Sequence, residues 1–310
     1  IGMNRRPNHH RLRPGVDDAI AILLALRAPE FDLRALTPVA GNVPLDRTAP
    51  NALSILELAG ARVPVYRGAE KPMFCELHTA AEIHGADGLH GFTLPEPKTA
   101  YAEGHAWDAT YREARALGGE LEIIAVGPLT NLGIAFSKYP DLPRYLKKIT
   151  IMGGAVAYGN TTSAAEFNIY ADPEAAEMVF RAGVPIAMCG LDVTHQSCLL
   201  PEEIDEIAAL PSPQARYAAK LLGYTLSWKD RYHSIGAVLH DPCALIYALD
   251  PSMFESKRCW IGVETKGPVT RGKTVTDCYS DAKKEPNADL VTGVDRARFA
   301  AKVRELLAAY

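Results

Sequence analysis

Short, nearly continuous apolar runs alternate with helically periodic segments along most of this chain, and that alternation constrains its fold more than any other feature. The clearest run is LEIIAV at 121–126, closed by Gly127-Pro128 and followed by a helical pattern from Thr130. Further strands are expected at 33–40, 63–66, 149–152 and 184–193, with a late β-pair at 259–263 and 269–276. Helices are expected at 17–27, 45–58, 106–117, 173–182, 202–210, 213–228, 242–249 and 295–309. Strands that lack polar alternation are buried on both faces, as in parallel sheets whose crossover helices cover them. The expected fold class is therefore α/β, with an open, mostly parallel sheet and helices on both faces. Ligands of such sheets bind beyond the carboxyl ends of the strands. Asn42, Gly127, Gly153 and Asp192 fall at such positions.

Nothing in the pattern marks a linker, a repeat or a low-complexity stretch, so 14–310 reads as a single domain. Residues 1–13 are atypical. A helix starting near Asp17 calls for a strand just before it, yet 4–13 reads NRRPNHHRLR, with one aliphatic residue and four arginines, unsuited to a buried central strand. Charge narrows the function classes: 33 Lys+Arg against 37 Asp+Glu give a net −4, without the basic footprint of a nucleic-acid binder. The longest apolar run, 19–26, falls far short of the ~20 residues that span a bilayer. No apolar stretch follows the early arginines as a secretory signal would require, so a cytoplasmic protein is expected. The six cysteines contain no C-x-x-C pair and read as small buried thiols.

Four local constellations carry candidate chemistry. Asp17-Asp18 follows Pro14-Gly15 at a helix start; Glu166-Phe167-Asn168 follows Asn160 on a polar loop; His240-Asp241-Pro242 precedes an apolar helix; His84 and His90 lie in a glycine-rich loop. Each also has an ordinary reading: a helix start that favours acids, loop polarity, a helix cap with proline in its first turn, a flexible surface loop. Asp17, Asp18 and Asp241 would give an oxygen-rich site suited to a hard cation rather than to zinc. The chain has neither a G-x-x-x-x-G-K-[ST] loop nor a G-x-S-x-G elbow.

Several longer motifs, in order, resemble the inosine–uridine-type nucleoside hydrolases: PGVDDAIAILLAL (14–26), VAGN (39–42), IHGADGL (83–89), GPLTNL (127–132), IMGGA (151–155), GNTTSAAEFNIYADPEAA (159–176), GLDVTHQ (190–196), HDPCA (240–244) and GKTVTD (272–277). The resemblance runs from Pro14 onward. It implies the nucleoside hydrolase fold, a Rossmann-like open sheet. It also implies hydrolysis of the N-glycosidic bond of ribonucleosides to ribose and a free purine or pyrimidine base. By the same resemblance Ca²⁺ is held by Asp18, Asp241 and the carbonyl of Val126. Asp17, Asn42, Asn160, Glu166 and Asn168 bind ribose, Met152 packs near the sugar and His84 near the base. His240 and Asp17 are the implied catalytic residues, with His240 protonating the leaving base. The implied partner is a small-molecule nucleoside, with no nucleic acid and no membrane, in a homodimer or homotetramer. Tyr224, Trp228, Tyr232 and His233 lie where the base pocket would be lined, or else pack within a helix.

The chain departs from the family motif D-x-D-P-G-x-D-D, because both early aspartates are Arg11 and Arg13. In the family the second of these ligates Ca²⁺ and is the base for the attacking water. A guanidinium there, ~4 Å from a divalent ion at an effective dielectric of ~20, would cost on the order of 8 kcal/mol. Taken literally, the alternative is a non-catalytic nucleoside- or ribose-binding protein. A second hypothesis keeps the enzyme. Residues 8–14 can be encoded AAC CAC CAT CGA CTG CGA CCC, and one base further on that string reads Thr-Thr-Ile-Asp-Cys-Asp before the proline. A one-base frameshift restored near Gly15 would account for the lost strand and both lost acids. DNA codons incompatible with that string would end the idea.

Overall fold

The computed structural model describes residues 6–11, 15–278 and 284–310. Ten strands lie among them: β1 (Arg6–Arg11), β2 (Phe31–Leu36), β3 (Leu121–Ala125), β4 (Leu146–Met152), β5 (Ile186–Cys189), β6 (Cys198–Leu199), β7 (Ala237–Val238), β8 (Phe254–Val263), β9 (Thr274–Asp277) and β10 (Ala288–Val294). Eight form one sheet in the order β2-β1-β3-β4-β5-β10-β8-β9. From β2 to β10 every neighbouring pair is parallel, and β8 and β9 add an antiparallel edge. β6 and β7 pair separately.

Alternate residues of β3 and β5 feed different cores, which is why these strands read as unbroken apolar runs. In β3, Ile124 belongs to the core that residues of helices Val16–Arg27, Pro213–Leu226, His240–Leu249 and Arg296–Ala308 also build. Ile123 and Ala125 face the opposite core, built with helices Thr130–Lys138 and Pro173–Arg181. β5 divides likewise, with Ala187 and Cys189 on the first side and Ile186 and Met188 on the second. The sheet is therefore mostly parallel and covered on both faces, as expected.

Three differences from the sequence reading have physical causes. The arginine-rich segment was unsuited to a central strand, yet β1 lies between β2 and β3, parallel to both, with Asn8 opposite Leu33 and Glu122. A strand so placed satisfies its backbone groups through two ladders, and position in the sheet overrides side-chain preference. The strand expected at 184–193 stops at Cys189, and Leu191–Thr194 forms one helical turn whose Asp192 carboxylate accepts from Val156 N and Ala157 N. The expected strand at 63–66 contributes a single bridge, Leu36 to Val65. The expectations placed on Leu12, Arg13 and Pro14 lie outside the described residues. Among the described residues no helix is long and apolar enough to cross a membrane.

Candidate active site

The carboxyl end of β4 and the first turns of two helices meet at one cavity of about 210 Å³. Asp17, Asn42, His84, Met152, Asn160, Glu166, His240 and Asp241 all line it. Asp18, Val126 and Asn168 do not line it; each is fully buried.

Helices Val16–Arg27 and His240–Leu249 begin at the site and pack against each other. Their exposed N–H ends favour negative charge. Asp17 exploits this directly, its Oδ2 accepting from His240 N at 3.0 Å. Asp18 turns the other way and accepts from Gly15 N at 3.1 Å, closing the start of its own helix. A Cβ on Gly15 would stand 2.7 Å from Asn42 Nδ2 and 2.9 Å from His84 Nδ1, so glycine lets these two cavity residues approach the turn.

The opposite wall is organised by Glu166, the N-cap of the short helix Phe167–Ala171. Its Oε1 accepts from Asn168 N at 2.8 Å, and its Oε2 from Gly154 N at 2.9 Å and Ile169 N at 3.2 Å. Gly154 follows β4 with φ +82, where a Cβ would meet Met188 Sδ and Thr274 Cγ2 at 2.8 Å. Glycine there brings the N–H to the carboxylate. Asn160 Oδ1 accepts from Phe167 N at 2.9 Å. Asn168 Nδ2 donates to Met152 O at 3.0 Å and Val126 O at 3.3 Å, tying the ends of β3 and β4 together beneath the cavity.

The buried oxygens fit a hard cation in kind. They are the carboxylates of Asp18 and Asp241, the Val126 carbonyl, and Asn168 Oδ1, which has no hydrogen-bond partner among the described residues. Among those residues, no three His, Cys, Asp or Glu side chains converge as a metal-holding group.

His240 lines the cavity with its Nδ1 2.8 Å from Thr194 Oγ1. The rings of Tyr232 and His195 stand edge-on to it at 5.4 and 5.6 Å. Burial lowers the affinity of His195 for its proton, and Asp192 opposes that only in part. Burial, then the nearby Asp17 charge, pushes the Tyr232 hydroxyl up.

The loop carrying His84, which could equally have been a loose surface loop, is pinned. Tyr224 Oη donates to Ile83 O, Tyr217 Oη to Phe92 O, and Tyr224 stacks on His90 at 3.8 Å. Tyr224, Trp228 and Tyr232 line the cavity as expected, whereas His233 lines an adjoining one. Sequence reasoning passed over Thr161, Thr225, Arg231 and Thr194. Thr161 and Thr194 carried a signal, inside GNTTSAAEFNIYADPEAA and GLDVTHQ, whereas Thr225 and Arg231 carried none.

The sequence profile of the family described as inosine-uridine preferring nucleoside hydrolase matches residues 14–301. The pyrimidine-specific ribonucleoside hydrolase RihA of Shewanella sp. (strain MR-7) is 41% identical over 300 residues, 96% of this chain and 94% of that protein. RihA of Citrobacter koseri is 42% identical over 300 residues, 96% of each chain. Among solved structures, a plant nucleoside hydrolase, PpNRh1, superposes with TM-score 0.92 at 32% identity, covering 98% of this chain and 99% of that one. A purine-preferring ribonucleoside hydrolase from Gardnerella vaginalis gives 0.91 at 31% identity, covering 98% and 100%.

Proposed function

The chain belongs to the inosine–uridine preferring nucleoside hydrolase family, hydrolases of N-glycosyl compounds, and from that premise we propose that it cleaves ribonucleosides to ribose and free base, with pyrimidine ribonucleosides preferred. One observation carries the reading: a single cavity gathers Asp17, Asn42, Met152, Asn160, Glu166, His240 and Asp241 from segments far apart in sequence. The pyrimidine preference rests on the RihA relatives, which are pyrimidine-specific by name.

Ribose is held between two walls. Glu166 and Asn160 have their carboxylate and amide fixed by backbone N–H groups, so they meet sugar hydroxyls without reorganising. Asn42 and Asp17 line the same cavity. When the C1′–N bond breaks, positive charge builds on the ribose, and the fixed carboxylates stabilise it. His240 delivers its proton to the departing nitrogen, a step worth ~10²–10⁴-fold. Water adds to C1′ from the opposite face, as in inverting glycosidases, and gives its proton to a carboxylate; Asp17 is the candidate base. Ca²⁺ would be held by Asp18, Asp241 and the Val126 carbonyl with the sugar's vicinal hydroxyls, and when bound it supplies a charge that orients the diol and acidifies water. The domain is proposed to span 14–310 and to assemble as a homodimer or homotetramer.

The test is base release from a panel of uridine, cytidine, inosine and adenosine, with ribose affinity measured alongside. Release fastest from the pyrimidine nucleosides is expected. Ribose binding with no release from any of them would establish the non-catalytic binding protein instead.

A further inference from the structure

We propose that Thr194 is a positioning residue that fixes the tautomer of His240, so that the neutral ring keeps its proton on Nε2. The inference rests on the reading of His240 as the group that protonates the leaving base. Thr194 closes the single helical turn after β5, where its side chain is fully buried. Its Oγ1 lies 2.8 Å from His240 Nδ1, and among the described residues this is the one partner the hydroxyl has. A buried hydroxyl proton must find an acceptor. Backbone carbonyls are the usual alternative for a threonine in a helical turn, but no such bond forms here, whereas Ser197 Oγ, three residues on, does bond the Val193 carbonyl.

The ring therefore accepts at Nδ1, and a neutral imidazole that accepts at one nitrogen carries its hydrogen on the other. The opposite tautomer would point two hydrogens at each other or leave the threonine hydrogen without an acceptor. Tyr232 and His195 hold the ring edge-on from two further sides, which limits its rotation away from Thr194. When the ring takes up a second proton at Nδ1 to become the acid, the same hydroxyl rotates and accepts from Nδ1–H, because a hydroxyl both donates and accepts, and the Nε2 proton stays available for the departing nitrogen. Thr194 thus prepares the acid without touching substrate. The turn that carries it is set by β5, so the sheet itself positions the proton.

The experiment compares the unsubstituted protein with Thr194→Val, which keeps shape and removes the hydroxyl, and Thr194→Ser, which restores it. ¹⁵N-histidine NMR over a pH series reads the tautomer of the neutral ring directly and needs no turnover. The Nε2–H form is expected in the unsubstituted protein and in Thr194→Ser, with a mixed or Nδ1–H form in Thr194→Val. In nucleoside hydrolysis, Thr194→Val should lose at least ~10-fold in kcat, with KM within about twofold, out of the ~10²–10⁴ that acid catalysis supplies. Thr194→Ser should recover most of it. An Nδ1–H signal in the unsubstituted protein overturns the proposal even if Thr194→Val fails to fold. So does a Thr194→Val protein with unchanged tautomer and kcat, or a Thr194→Ser protein as impaired as Thr194→Val. If no nucleoside is cleaved, the reading of His240 as an acid falls, while the tautomer measurement still decides the role of Thr194.

Discussion

Replacing Glu166 by glutamine changes one atom and no volume, so its effect isolates what the carboxylate does. Three backbone N–H groups, from Gly154, Asn168 and Ile169, point at its two oxygens at 2.8 to 3.2 Å. A carboxamide offers a single acceptor oxygen. In its best orientation the oxygen takes the place of Oε2 and keeps Gly154 and Ile169. The amide nitrogen then faces the N–H of Asn168, donor against donor. Hydrogen bonds to a charged group contribute about 1.5–3 kcal/mol each, so Glu166→Gln should destabilise the protein by roughly 2–4 kcal/mol. With an unfolding entropy of about 2.1 cal/mol/K per residue, a chain of 310 residues shifts its Tm by about 1.5 °C per kcal/mol, which puts the expected drop at about 3–6 °C. Differential scanning calorimetry measures it, and ribose affinity by titration calorimetry should fall in the same variant. A Glu166→Gln protein melting within ~1 °C of its parent would refute the reasoning, because it would mean the carboxylate does not hold this wall together.

Three further outcomes are expected. If residue 13 stands where the family motif has its aspartate, Arg13→Asp should raise Ca²⁺ affinity more than ~10-fold in equilibrium dialysis, by exchanging a repulsion on the order of 8 kcal/mol for an attraction; unchanged affinity would refute that placement. Burial alone would raise the Glu203 carboxyl, but its bonds to Arg296 and to Leu200 N, with the Arg296 and Arg304 charges, outweigh it and hold it below the ordinary carboxylate range. A lowered folded-state pKa stabilises above the ordinary range and is lost as pH falls through the folded value. Glu203→Gln should therefore flatten the acid side of a Tm-against-pH curve, and an equally steep decline would count against it. The Cys259 thiol is pushed up to about 12, by burial first and then by the neighbouring Cys278, so at pH 8 iodoacetamide should label half-buried Cys75 and Cys278 well before Cys259. Equal rates by mass spectrometry would contradict that environment.

Much of this molecule was legible before any coordinates. The helix over 45–58 appears with those bounds, because its apolar stripe and its surroundings agree. β3 ends at Ala125, one residue short of the expected run, and the Val126 carbonyl accepts from the Asn168 side chain. The cavity-lining carboxylates and amides were found through motifs with fixed order, and the fold brings them together. What escaped the sequence has physical reasons. β10 escaped because its alternating burial interrupts the apolar run and Gly293 breaks it near the end. β1 carries the reverse lesson, since its side chains argue against the ladder its backbone joins. Thr194 looked like an ordinary helix residue, because nothing in a one-dimensional pattern brings 194 to 240.

The position of β10 has a consequence for how the chain comes off the ribosome. Five parallel strands precede it in sequence, yet the strand that joins them to the antiparallel pair β8-β9 is made last. Until residues 288–294 emerge, β5 presents an open edge and the pair has nothing to join. Nascent sheet edges of that kind recruit other chains. This architecture therefore concentrates its aggregation risk in the final stretch of translation, and a premature stop shortly before residue 288 would leave that edge permanently exposed.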